Sequence, residues 1–303
     1  MLAGVFYSCE EVPSDQPVLT MPPNNEIWYT SNDGRAVNAF YSDVFGEEIK
    51  SNTYINGLGV MEFHGPINII GNYAFRSRHR LTNISIPNSV KSIGNCAFYD
   101  CSDLIEITIP NSVTIIGNSA FAFCSNLKRF KGKFAADKGR CLIVDGILIA
   151  YAGASGIEYI IPKNVTTIGE SAFVSCDNLT KITIPKGVTS IETGAFAHCR
   201  SLINVDIPNS ITSIGNRAFE DCSNLVIVNI PNSVTSIGNS VFRYCNGLQN
   251  IICTSAVPPQ GGTKMFDGIC SSAKIYVPIG SSNAYKTAKY WSDYADIIVE
   301  KDM

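Results

Sequence analysis

The sequence predicts a repeat solenoid of the β-rich α/β class: a right-handed stack of coils with parallel strands and a cap at each end. Three observations carry this reading. A proline recurs at Pro87, Pro110, Pro162, Pro185, Pro208 and Pro231, and four of the five intervals are 23 residues; the fifth, 52, equals one repeat plus an insertion of 29. Every copy repeats the same apolar pattern, which in one copy reads Val90, Ile93, Phe98, Cys101, Leu104, Ile107 and Ile109. Only 16% of the 303 residues are charged while 45% are hydrophobic, which suits stacked strands and turns better than surface helices.

The elements follow in chain order. Glu10 to Pro23 holds four prolines among polar residues and no period, so residues 1–23 divide into a short apolar start and an extended linker. Residues 24–63 lack the repeat but contain strand-like pieces at Ile27 to Thr30 and Gly59 to Phe63, as expected of an N-terminal cap. Residues 64–253 hold seven repeats, the first with His64 in the proline slot. Inside the insertion, at about 131–159, Cys141 to Val144 and Ile147 to Tyr151 flank Asp145-Gly146, and a projecting hairpin is expected. Residues 254–303 break the period at Pro258-Pro259, offer a strand at Lys274 to Val277 and an aromatic segment from Tyr285 to Trp291, and are expected to close the core.

Within a repeat, the L-x-x-I-x-I tail places Ile107 and Ile109 on one face of a strand, with Glu106 and Thr108 on the other. The strand stops at Pro110, which has no N–H for a ladder, and Asn111 and Ser112 supply turn chemistry. Val113 to Ile116 reads as a second short strand, closed by Gly117 in a turn with positive φ. The segment that follows reads as one helical or 3₁₀ turn dropping Phe121 and Cys124 inward. One coil cannot bury this set alone; stacked coils bury it against copies of itself.

The run I-P-N-S-V-T-S-I-G-N-S-V-F-R-Y-C, from Ile230 to Cys245, resembles the BspA-like leucine-rich repeats of bacterial and protist surface proteins, and the resemblance covers about Glu62 to Cys253. Val113 and its equivalents stand where the horseshoe consensus has a buried Asn, so a buried Asn ladder is expected to be absent. The resemblance implies adhesion or protein binding at a cell surface, and it supplies no catalytic motif.

Cys101, Cys124, Cys176, Cys199, Cys222 and Cys245 fall in one slot of successive coils. Neighbouring coils lie about 4.7–4.9 Å apart with parallel side chains, whereas a disulfide needs Cβ atoms about 3.5–4.5 Å apart and facing each other. A column also converges on no metal, so packing thiols are favoured over disulfides or zinc. The histidines, His64, His79 and His198, form no triad; His198 beside Cys199 is the nearest approach to a thiol nucleophile, and adjacent residues rarely face each other. No phosphate-binding glycine motif occurs. No catalytic residue, cofactor or metal is expected, and the chain is read as non-enzymatic.

A net charge of -3 opposes nucleic-acid binding, and no stretch has the roughly 18–20 apolar residues of a membrane span. Ser8-Cys9-Glu10-Glu11 resembles the end of a lipoprotein signal, which makes Cys9 a candidate for lipidation and points to an outer-membrane lipoprotein at the cell surface, or a secreted protein. A lipid at Cys9 would be the only membrane link; the charged start of such a signal is missing, and a disordered tail is the alternative. The favoured function is a binding or adhesion module for a macromolecular partner, foremost a host or matrix protein, with glycan binding or a surface-assembly or spacer role as alternatives. The outward strand positions Arg129, Lys131, Lys181, Thr183, Asn204, Asp206, Ile227, Asn229, Asn250 and Ile252 are the candidate contact residues. Ile227 and Ile252 break the polar rule: either the C-terminal cap folds over them, or they centre an apolar patch toward which Arg129, Lys131 and Lys181 steer an acidic partner.

Overall fold

The computed structural model describes residues 21–303, so Cys9 lies outside the described residues. The chain forms a stack of coils with three faces. The first face carries the longer strands, such as Glu106–Ile109, paired in parallel with Arg129–Gly132. The second carries two-residue strands such as Ile115–Ile116, and the third is a run of tight turns such as Asn118 to Cys124. Most apolar residues of all three faces point inward, and Val113, Leu127, Phe196, Cys199 and their equivalents are buried. No helix of the described residues is long and apolar enough to cross a membrane.

The turn face is not a helical turn. Alternate amides bond within the coil, as Cys101 N–H does to Phe98 O, and the others bond to the next coil, as Phe98 N–H does to Ala120 O. This alternation needs two left-handed residues per coil, at Cys96 and Asp100, Ser119 and Phe123, or Arg217 and Asp221. A non-glycine residue in that region is strained, and the ladder between regular coils offsets the strain. Gly117 does not have the expected positive φ, which falls instead on Ser119 (54°). Glycine is required at Gly117 by close approach: a Cβ there would lie 2.5 Å from Asn95 N and 2.7 Å from Gly94 C. The Val column is buried and carries no Asn ladder, but an exposed one runs beside the glycines, where Asn118 N–H donates to Asn95 Oδ1 and Asn95 N–H to Asn72 Oδ1, both at 2.8 Å.

The insertion does not project. Cys141–Val144 and Ile147–Tyr151 form the hairpin, and Asp145 and Gly146 at its tip both have positive φ, as a type I′ turn requires. Both of its faces are buried. Cys141, Leu148 and Tyr151 pack with the C-terminal coils, while Leu142, Ala150 and Ala152 pack with the N-terminal ones. The hairpin is therefore a partition through the core, because its strands are apolar on both sides. Tyr151 takes the ring position of the missing coil and stacks 4.9 Å from Phe173, while Phe130 turns edge-on to Phe121 at 5.3 Å. The partition also splits the first face into a six-stranded and a seven-stranded sheet.

At the N-terminus, Glu26–Ser31, Ile49–Ile55 and Leu58–Phe63 form an antiparallel unit, and the first of these strands pairs with Leu81–Ser85 of the array. Phe45 covers the start of the ring column, 5.8 Å from Phe75. The coil geometry continues past Cys253. Lys264 is left-handed like its equivalents, and Phe266 stacks on Phe242 at 5.6 Å with planes 1° apart. Closure comes later, from Trp291 and Tyr285, both fully buried; the Trp291 indole N–H donates to Pro259 O.

Candidate functional site

The partition rearranges the candidate contact residues. Arg129 and Lys131 sit on the last strand of the six-stranded sheet, whereas Lys181 and every later candidate sit on the seven-stranded one. The three cations therefore lie on two separate sheets, and the seven repeat strands do not make one continuous ladder. Arg129 Nη2 is 2.6 Å from Glu106 Oε2 and Lys131 Nζ is 2.5 Å from Glu106 Oε1, so both charges answer to one carboxylate. Partial burial raises the Glu106 carboxyl, but the hydrogen bonds from Lys131 and Arg129 outweigh it and hold it below its ordinary value. Lys181 lies 3.9 Å from Glu158. Within the six-stranded sheet, Ser85 stands between Trp28 and Thr108 and is buried.

On the seven-stranded sheet, Lys181, Thr183, Asn204, Asp206 and Asn229 are exposed, and Ile227, Asn250 and Ile252 are half-buried. Ile227 pairs with Asn250 and Asn229 with Ile252, which sets the two isoleucines on a diagonal. The C-terminal cap does not fold over them. Its strand Lys274–Pro278 extends the sheet sideways, and Tyr276 flanks Ile252. A neighbouring column was missed in the sequence: Ile157 (65% exposed), Thr180, Ile203 (51%) and Val226 (37%) stack one per coil, each amide bonding to the carbonyl of the residue before it. They occupy the first x of L-x-x-I-x-I, where Ile203 and Val226 follow Leu202 and Leu225. Apolar residues at a position the strand pattern leaves to solvent were the available signal.

The turn face holds a second grouping absent from the sequence reading. The Arg76 guanidinium lies 5.6 Å from the Tyr73 ring, 5.4 Å from Tyr99 and 6.0 Å from Phe40. These residues are 23 or more apart in sequence, apart from Tyr73, and only the coil stacking and the cap bring them together.

The sulfur column offers no chemistry. The ten described cysteines are free, and Cys101, Cys124, Cys199, Cys222 and Cys245 each donate Sγ–H to a phenylalanine carbonyl of the previous coil at 3.0–3.2 Å. Burial pushes the Cys124 thiol up to about 12, the opposite of what a nucleophile needs. His198 turns away from Cys199, with Nδ1 3.0 Å from Asp221 Oδ2, in a surface network that includes Arg200. Among the described residues no group of three or more His, Cys, Asp or Glu could hold a metal ion.

Comparison with curated protein sequences returns no match. Among solved structures, a leucine-rich cell surface protein from Faecalibacterium prausnitzii is 28% identical, with a TM-score of 0.51 over 62% of this chain and 57% of that one. This chain thus spans less than two thirds of that protein. A leucine-rich repeat protein from Eubacterium ventriosum is 23% identical, with a TM-score of 0.53 over 71% of this chain and 70% of that one. The pneumococcal vaccine antigen PcpA is 19% identical, with a TM-score of 0.55 over 78% and 66%; these last two show the fold alone. Residues 47–134 and 150–280, well over half of the chain, match the BspA type leucine-rich repeat region in six copies, and the chain belongs to that family.

Proposed function

We propose that this chain is a non-catalytic cell-surface module that binds a protein partner through its seven-stranded sheet. The observation that carries the reading is the column of Ile157, Thr180, Ile203 and Val226, exposed aliphatic residues at three of its four positions, beside half-buried Ile227. Solvent selects against such a column on a repeat surface, whereas a partner's apolar side chains would cover it. Around it, Lys181, Asn204, Asp206 and Asn229 supply a polar rim. Seven strands at about 4.8 Å span about 29 Å. With the aliphatic column included, the strip is about 16 Å wide, or about 460 Å², somewhat over half of the usual 800 Å² per partner. Adjoining turns must supply the rest. The surface location is supported by the cell-surface description of the Faecalibacterium prausnitzii relative, and lipidation of Cys9 would supply the anchor.

The immobilised chain, tested against purified extracellular-matrix proteins and a glycan array, should retain a protein. Ile203→Asp with Val226→Asp should weaken capture about tenfold or more while leaving the melting temperature near that of the parent. Capture indifferent to the double substitution would refute the sheet-face site. The glycan alternative draws on the aromatic rings around Arg76, since pyranose faces stack on aromatic platforms; binding to the array alone, lost in Tyr99→Ala, would favour it. Incorporation of labelled palmitate that vanishes in Cys9→Ala would test the anchor.

A further inference from the structure

The second face is a continuous parallel ladder except at one place. Ile115–Ile116 pairs with Ser92–Ile93 before it and with no strand after it. In regular coils the carbonyl of Lys91 accepts the N–H of Thr114, and that of Ile93 accepts the N–H of Gly117. The equivalent donors one coil further on, Thr166 and Gly169, are taken by the hairpin, at Gly146 O (2.8 Å) and Leu148 O (2.9 Å). Thr114 O and Ile116 O thus lose the partners that the repeat would have given them, and a strand edge is left open.

Beside this edge lies a cleft of about 570 Å³, within the range of ligand sites. Ile115, 62% exposed, faces it from one side, and Ile147, 38% exposed, with Ile149 from the other. Its charged groups are all carboxylates: Asp145, Glu170 and Glu192, with no lysine or arginine in the lining. Glu170 spans the break, accepting hydrogen bonds from Asn118 Nδ2 (2.9 Å) and Ser119 Oγ (3.3 Å).

We propose that this cleft takes an extended peptide segment of alternating aliphatic and basic residues, which adds a strand to the open edge of Ile115–Ile116. Each feature of the guest answers a feature of the wall. Free carbonyls in a row require N–H donors at strand spacing, which a peptide backbone presents and a glycan does not. Alternation sends every second side chain inward, beside Ile116, and the others outward among Ile115, Ile147 and the carboxylates. A basic guest is favoured because no cation of the lining neutralises the three acids. The site is separate from the aliphatic column of the seven-stranded sheet, so either can fail without the other.

The probe is a fluorescein-labelled octapeptide of alternating valine and lysine, titrated against the whole chain by fluorescence anisotropy. Saturable binding is expected, about tenfold or more weaker for Glu192→Lys and for Ile115→Asn, both exposed positions whose change should leave the melting temperature unaltered. The same peptide N-methylated at alternate amides, and its valine-glutamate counterpart, should not bind. Hydrogen exchange should slow in residues 114–118 and 144–149. Absence of saturable binding would overturn the proposal, as would indifference to N-methylation, loss of binding only in Ile203→Asp with Val226→Asp, or a dimer of this chain that closes the cleft.

Discussion

Truncating Phe196 to alanine measures how much of the stack rests on its ring column. Phe196 is fully buried, with ring centroids 4.9 Å from Phe173 and 5.2 Å from Phe219 and planes 19° and 6° apart. A phenylalanine buries roughly 150–250 Å², worth about 4–6 kcal/mol at about 25 cal/mol per Å², and this is an upper bound because the unfolded chain is not fully extended. Measured truncations of this type cost about 3–5 kcal/mol. With two stacked neighbours losing a partner, about 4 kcal/mol is expected. The two tryptophans, Trp28 in the N-terminal cap and Trp291 in the C-terminal one, report the two ends separately. Urea unfolding followed by Trp291 emission in a Trp28→Phe background should move to lower denaturant. Exchange should quicken at the Phe173 and Phe196 amides, which bond to Ala195 and Ala218 of the next coils. The Phe75 and Phe98 amides, beyond the partition, should change much less. A loss under about 1 kcal/mol, or equal acceleration on both sides of the hairpin, would refute the reasoning.

Gly117→Ala should cost about 1–3 kcal/mol by overpacking, because its Cβ would collide with Asn95 and Gly94; an unchanged denaturation midpoint would count against the close-approach reading. Burial raises the thiols of Cys124 and Cys253 to about 12, from an ordinary value near 9. Their contribution is therefore intact below pH 9 and is lost as pH rises toward 12, by about 1.4 kcal/mol per pH unit for each thiol. Midpoints measured between pH 8 and 11 should fall, and more shallowly in Cys124→Ala. Reducing agent should leave the melting temperature unaltered. Alkylation of the native protein should reach Cys270 first among the described cysteines, since the hydrogen bond from Ser272 lowers its thiol below the ordinary value and it is partly exposed; modification of Cys199 at the same rate would show that the column is open.

The coil was legible in the sequence because each of its constraints is local and recurs. Ile107 and Ile109 declare a strand by alternation, Pro110 declares its end, and Cys101 and Cys124 declare a shared slot by their 23-residue separation. What could not be read depends on contacts between coils. The left-handed residue at Cys96 carries no propensity signal, since the ladder to Asn118 imposes its conformation. Gly117 reads as a turn residue in the sequence because glycine answers to two physical demands, and only the neighbouring backbone says which applies. The hairpin strands were found, but not their placement: Leu142 beside Cys141 and Ala150 beside Tyr151 are apolar on both faces, which suits a strand buried on both sides better than one that projects. Of the contact surface, the alternating positions were visible, but the break between Arg129 and Lys181 was not, because it follows from where the insertion enters the stack.

A uniform stack of identical coils has no natural stopping point for damage: a frayed end exposes the next ring, which exposes the next. The hairpin at Cys141 to Tyr151 interrupts that sequence of like contacts, because each half of the ring column ends there on its own lid, Phe130 for one and Tyr151 for the other. A protease that opens the N-terminal half therefore meets the hairpin's own face of Leu142, Ala150 and Ala152 before it meets a coil of the other half. The same device lets the two halves tolerate different rates of change: a coil gained or lost on one side leaves the packing of the other as it was.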